Sequence, residues 1–337
     1  MFRFFKKFAL FCVPFVLALA FFAAFEPYDY WLLRGECLYM CRSLNSVRRL
    51  QTGECENIIL GNSLMANLNE SYIEDVSDID YDNLAYGGAT MDEIVDQFWY
   101  AAQHNDLQRV VIGLNFYIMN SNYRSGRWAG IQSDGEHPLD FIGDFGYWTE
   151  AFDNARTKAQ NLAADALGRE ELYLHVDDPS SLQQDTQPDM TRDADGDREN
   201  IKTYAGIIFD QTEGYDAGGR YVDDLVEIAA YCSDNGIELT FVMMNCHKLI
   251  WEKVVYPRQL DGYINYYKRA LKSCANVIDF EFDNDYSRND AIFLDGFHMV
   301  LSEKKRLMEV IFAGAPDAYA VITTPEQYLT EAGGGSN

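Results

Sequence analysis

Ser63, Gly88, Asn115, Asp295 and His298 are the residues whose types and spacing could carry out a reaction. A serine hydroxyl can attack a carbonyl when a histidine takes its proton, and a nearby carboxylate can fix that histidine's tautomer. Backbone N–H groups at a glycine turn, together with an asparagine amide, can steady the oxyanion that forms. Each residue also has a plain reading. Ser63, in NIILGNSL, can be the N-cap of a helix, and Gly87-Gly88 can simply make a turn. Asn115 can start an Asx turn at a strand end, and a lone histidine is usually structural or on the surface. The chain holds only five histidines, at 104, 137, 175, 247 and 298, so one beside a crevice is informative. Nucleophile, two oxyanion donors, base and base-orienter together are what acyl transfer through serine requires.

That chemistry needs a fold that brings these residues to one edge. Short apolar runs bounded by turn residues predict strands near 57–60, 81–84, 109–114, 237–243 and 276–280. Helices fit between them: Met91 to Gln103 behind a Thr90/Glu93 capping box, Tyr221 to Asn235 closed by Gly236, and Gly262 to Lys272. Ser302 to Phe312 is expected as a last helix. Such alternation implies an α/β protein with a parallel sheet covered on both faces by helices. Ligands of such sheets sit at the carboxyl ends of the strands. Strand one leads there to Ser63, strand two to Gly87-Gly88-Ala89, and strand three to Asn115. Strand five is followed by the loop Phe293-Leu294-Asp295-Gly296-Phe297-His298, where Asp295, three residues before His298, can lie on the same face of a tight turn within reach of its ring. A long irregular insertion, about 117–219, separates strands three and four, and its acidic middle, 177–200, reads as a mobile excursion or lid.

The chain has 337 residues and a net charge of −26. Residues 1–25 carry Arg3, Lys6 and Lys7 and no acid, so the remainder carries −29. Such a field argues against nucleic-acid binding through phosphates and suits a solvated surface. Phe8 to Phe25 runs 18 residues without a charge, enough to cross a bilayer core of about 30 Å. Basic residues before it and Glu26 after it put the N-terminus in the cytoplasm and the rest outside. The competing reading is a cleaved signal peptide, with Ala18-Leu19-Ala20 at cleavage-like spacing. Aromatics continuing to Phe25 with no polar segment favour an uncleaved anchor. The expected organisation is an anchor over 1–25, a membrane-proximal helical stalk over 26–55, a catalytic domain over 56–312 and a C-terminal tail over 313–337, ending in the flexible GGGSN. Cys37, Cys41 and Cys55 cluster near the start and can form one disulfide outside the cytoplasm.

In this order, the motifs resemble those of the SGNH (GDSL-like) hydrolases. Gly61-Asn62-Ser63-Leu64 matches the first block, with Asn where many members have Asp. Gly88 in YGGAT matches the second, Asn115 in GLN the third, and Asp295 with His298 the last. Phe116 stands where the third block usually has Asp. With its anchor the chain looks most like the membrane-tethered branch, which includes the D-alanine-transfer protein of teichoic-acid modification and the alginate O-acetylation proteins. The resemblance implies a flavodoxin-like three-layer α/β/α sandwich with a five-stranded parallel sheet and no cofactor. It implies Ser63 as nucleophile, His298 as base and Asp295 as its orienter. Gly88, Asn115 and the Ser63 N–H would form the oxyanion hole, and a membrane-bound O-acyltransferase would be the partner. No GxSxG elbow is present, which disfavours the α/β-hydrolase fold.

Other features have weaker claims. Asp193, Asp195 and Asp197 with Gly196 suggest a calcium loop, but the spacing of an EF-hand is not met. His247 and Cys246 follow strand four and read as structural, the cysteine buried. Aromatics of the insertion (Tyr117, Tyr123, Trp128, Phe141, Phe145, Tyr147, Trp148) could line a sugar groove but suit a local core better. The expected function is therefore an anchored extracytoplasmic acyltransferase or esterase acting on acyl esters of a cell-envelope polymer. The alternatives are an idle scaffold of the same fold, binding glycan or a membrane partner, and a secreted esterase.

Overall fold

A computed structural model describes the chain except residues 1, 27–28, 30–31, 33–36, 39–41, 138–139, 141–142, 168–175, 178–193 and 335–337. Most of the acidic stretch read as a lid, much of the expected stalk, Asp193, Phe141 and Cys41 lie outside the described residues. The chain divides into two compact units, one of residues 1–51 and 129–180 and one of residues 52–128 and 181–337.

In the first unit, one helix among the described residues, Phe2–Phe25, is long and apolar enough to cross a membrane. From Phe8 to Leu19 it is apolar and largely exposed. Near its end Phe22 is buried against Tyr147 and Trp148, with ring centroids 4.9 and 4.7 Å away. These two belong to the helix Phe145–Ala166. Glu26, fully buried, accepts the Tyr147 hydroxyl at 2.7 Å. So two of the insertion's aromatics serve as local core, while Phe145 is exposed.

The second unit is mixed α/β, built on a six-stranded sheet. Its strands are β1 (Asn57–Leu60), β2 (Asp82–Asn83), β3 (Arg109–Leu114), β4 (Glu238–Met243), β5 (Asn276–Asp279) and β6 (Val321–Thr323). The order is β2-β1-β3-β4-β5-β6, the first five parallel and β6 antiparallel to β5. The five-stranded parallel sheet expected from the sequence is thus corrected to six strands. The sixth is a short edge strand in the stretch read as a tail, and it carries no buried apolar run that would announce it. On β3 the consecutive residues Val110, Val111 and Ile112 are all buried, so both faces of the sheet are covered, as parallel sheets require.

The chain order reverses at β1, which has β2 on one side and β3 on the other. In open α/β sheets a crevice forms at such a point, beyond the carboxyl ends of the strands. Close packing brings the next helix down onto it. Met65 sits over Gly61 and Gly113, and a Cβ built on Gly113 would lie 2.0 Å from Met65 Cγ. Only glycine near the carboxyl end of β3 lets the short helix Ser63–Ala66 approach this closely.

Candidate active site

Ser63 opens that helix but does not cap it. Asn62 is the N-cap, and its Oδ1 accepts the Leu64 N–H at 3.0 Å. The Ser63 hydroxyl is left to bond elsewhere, and it lies 2.8 Å from His298 Nε2. His298 Nδ1 is 2.7 Å from Asp295 Oδ2.

The loop carrying these two residues is held by its own backbone. Leu294 N–H donates to the His298 carbonyl at 2.7 Å, and Phe293 bridges Met299. Asp295 Oδ1 accepts the N–H groups of Phe297 and His298, both at 2.7 Å. Burial alone would push the Asp295 carboxyl up. The His298 ring and the two backbone N–H groups outweigh it and hold the group below the usual carboxylate range. An ionised carboxylate only accepts, so His298 carries its proton on Nδ1 and presents Nε2 as acceptor to the serine O–H.

Gly88 and Asn115 border the same cleft, a cavity of about 210 Å³ that also touches Ser63 and His298. Gly88 has φ +70°, a left-handed turn where a side chain would be strained. Its carbonyl accepts Arg127 Nη2 at 3.0 Å, and Arg127 Nε pairs with Glu93 at 2.8 Å. The Glu93 side chain is fully buried and also takes the Ser125 hydroxyl and the Thr90 N–H, the latter completing the expected capping box. Burial would raise the Glu93 carboxyl, but Arg127, Ser125 and Thr90 together lower it. Asn115 does make the Asx-type bond considered above, Oδ1 accepting the Ile118 N–H at 3.1 Å. With Oδ1 so engaged, the amide nitrogen is the side-chain atom left to donate.

Other lining residues were not singled out by sequence. Tyr204, Ile208 and Gln211 come from the helix Ala194–Gln211, and Phe297 comes from the histidine loop. Tyr117 and Tyr123, both named among the insertion's aromatics, pack on the cleft wall with ring centroids 4.6 Å apart and planes tilted by 49°, and the Tyr117 hydroxyl donates to Gln211 at 2.9 Å. His247 does not reach the cleft. It is buried, its Nδ1 accepts the Leu249 N–H, and its Nε2 donates to Asp290 at 3.0 Å. Its backbone N–H holds the Gly296 carbonyl at 2.8 Å, so it braces the loop that carries Asp295 and His298. Cys246 is buried and its thiol is pushed well up by burial, the opposite of an activated nucleophile. Among the described residues no group of three or more His, Cys, Asp or Glu could hold a metal.

No protein-family model matches the chain, and no curated protein sequence matches it. Two solved structures are similar in backbone. One, from Bacteroides fragilis NCTC 9343, is provisionally named an acylhydrolase; it shares 10% identity at TM-score 0.40, over 79% of this chain and 91% of its own. The other, from Streptococcus pneumonia, is provisionally named a platelet activating factor; it shares 7% identity at TM-score 0.39, over 83% of this chain and 92% of its own. Likeness this distant transfers no activity.

Proposed function

We propose that this chain is a membrane-anchored serine acyltransferase or esterase with an SGNH-like, flavodoxin-like α/β/α catalytic domain over about 56–312. What supports the reading above all is the hydrogen-bonded chain from the Ser63 hydroxyl through the ring of His298 to the Asp295 carboxylate, on the rim of a cleft that Gly88 and Asn115 share.

The reaction follows from that geometry. Ser63 Oγ attacks the ester carbonyl as His298 Nε2 takes its proton, and Asp295 stabilises the imidazolium. The Asn115 amide and the N–H groups of Gly88 and Ser63 receive the charge developing on the carbonyl oxygen. His298 returns the proton to the leaving alkoxide, leaving an acyl-Ser63 ester. A sugar hydroxyl or water, deprotonated in turn by His298, then attacks the acyl carbonyl; the Ser63 Oγ–acyl bond breaks and His298 returns the proton to Ser63 Oγ.

The substrate class is an acyl ester of a cell-envelope polysaccharide or teichoic-acid-like polymer. The N-terminal helix anchors the chain with its N-terminus in the cytoplasm and residues 26–55 as stalk, so the catalytic domain works outside. A tethered enzyme meets a membrane-embedded acyl donor, such as a membrane-bound O-acyltransferase, at high effective concentration, which favours transfer over hydrolysis. Incubating the full chain with an activated acyl ester tests the proposal. Mass spectrometry is expected to find the acyl group on Ser63, with neither adduct nor turnover in a folded Ser63→Ala variant. A wild-type chain that never acquires the adduct would make it a scaffold rather than an enzyme.

A further inference from the structure

Behind Asn115 lies a buried polar cluster that the reaction above leaves unused. Just beyond β5 stands Glu281, with no exposed surface. Its Oε1 accepts the N–H of Phe116 at 2.5 Å, and its Oε2 accepts the Tyr267 hydroxyl. Lys268 Nζ stands 3.8 Å from Oε2 and donates to Asp279 at 2.8 Å and to the Glu281 carbonyl. Lys272 reaches the other oxygen of Asp279 at 3.3 Å. On the far side of Phe116, the Tyr215 hydroxyl donates to the Phe116 carbonyl at 2.5 Å. Phe116 itself is fully buried. The peptide groups on both sides of this residue are therefore gripped, one at its N–H and the other at its C=O.

We infer that Glu281 and Tyr215 are positioning residues for the oxyanion pocket, locking the backbone after Asn115 so that its amide nitrogen stays aimed at the reacting carbonyl. The inference rests on the reading of Ser63 as nucleophile. A bond from backbone N–H to a carboxylate is charge-assisted and stiff, and oxyanion donors act only when they need no reorganisation during reaction. Stability alone gives little reason for a carboxylate here, since apolar residues replace buried ion pairs without loss in many proteins.

The donor set also selects the charge state. Phe116 N–H and Tyr267 O–H each point at one carboxylate oxygen, which suits an acceptor-only group. Burial pushes the Glu281 carboxyl up to about 7, against the pull of Lys268, Tyr267 and the Phe116 N–H, and Asp279 adds to the rise. Tyr215 and the Cys246 thiol also face it. On protonation Tyr267 must turn from donor to acceptor, and the bond to Phe116 loses its charge.

The chain offers a clean probe, because Asn115-Phe116 is its only Asn-Phe step. Carbonyl-labelled asparagine with amide-labelled phenylalanine, in the full chain in detergent micelles, isolates the Phe116 amide in one resonance. It is expected downfield, moving with pH about a midpoint near 7, and that movement is expected to vanish in Glu281→Gln. On a small activated ester, well above that midpoint, Glu281→Gln and the isosteric Tyr215→Phe are each expected to lower kcat about tenfold or more with KM nearly unchanged. A resonance indifferent to pH and to Glu281→Gln, or variants as fast as wild type, overturns the inference. If wild type forms no Ser63 adduct, both this and the proposed function fall; if it does and the variants match its rate, only the positioning role falls.

Discussion

Asn62, and not Ser63, caps the helix over the sheet edge: the asparagine oxygen takes the Leu64 N–H at 3.0 Å, and the serine hydroxyl is left for His298 at 2.8 Å. The two neighbours divide work that a single serine could not do, since a hydroxyl turned back to cap the helix could not also face the imidazole. Asn62→Ala is expected to cost about 1 kcal/mol, read as a fall in melting temperature. It should also slow acylation of Ser63, because the hydroxyl becomes the nearest replacement cap. Asn62→Asp keeps an acceptor and should restore most of both. Equal rates in Asn62→Ala and wild type would show that the division of labour has no bearing on the nucleophile.

In the proposed reaction Asp295 bears on rate, and its ionisation bears on stability. Its carboxyl is held below the ordinary range despite burial, by the His298 ring and two backbone N–H groups. A group with a depressed folded value contributes stability that is present above the unfolded value, about 3.9 for Asp, and is lost as pH falls through the folded one. Asp295→Asn should therefore flatten the acid limb of melting temperature against pH. An amide can bond Nδ1 in the wrong tautomer, so kcat should fall by about 10³ to 10⁴. A loss of stability on the alkaline side instead would contradict the assigned ionisation.

Arg127 holds Gly88 by its carbonyl and Glu93 by its carboxylate, using Nε and Nη2 of one guanidinium. A lysine ammonium cannot reproduce that fork. Arg127→Lys is expected to keep the charge yet slow acylation of Ser63, because the Gly88 turn loses its outer support. Arg127→Met should add a fall in stability, since Glu93 is fully buried and would lose its cationic partner, keeping Ser125 and Thr90 as donors. The exposed half of Arg127 is screened by water, so the fall should be smaller than for a fully buried pair. Comparing melting temperature with acylation rate across the two variants separates the roles.

Much of this architecture could be read in advance because its signals are local. β1, β3, β4 and β5 are apolar runs between turn residues, and two of the helices between them announce an end, one by the Thr90/Glu93 capping box and one by Gly236. The three-residue β6 has no such run, and only its pairing with β5 makes it a strand. The residues that meet around Ser63 sit in short motifs directly after strands, where topology alone predicts their neighbourhood. Tyr204 and Gln211 reach the cleft from a helix whose place depends on tertiary packing, which nothing in their spacing reveals. Glu281 was within reach of the sequence. Asp279 and Glu281 alternate along an otherwise apolar strand end, and Lys268 and Lys272 stand one turn apart on the preceding helix, a pattern of charges facing each other in a core.

Glu281 finally separates what stabilises this protein from what the proposed chemistry needs. Its folded value, raised to about 7, lies above the roughly 4.3 of an unfolded glutamate. The folded chain therefore binds the proton more tightly, and this group's contribution is full below the unfolded value and declines as pH rises through the folded one. Between those values wild-type stability should fall with pH, and Glu281→Gln should remove that slope. On the alkaline side the variant is then expected to melt no lower than wild type while acylating Ser63 more slowly. A structural residue would lose stability and rate together; a positioning residue loses only rate. Parallel melting and acylation measurements from mildly acidic to mildly alkaline pH decide between them, and a variant that melts lower throughout would return Glu281 to the core.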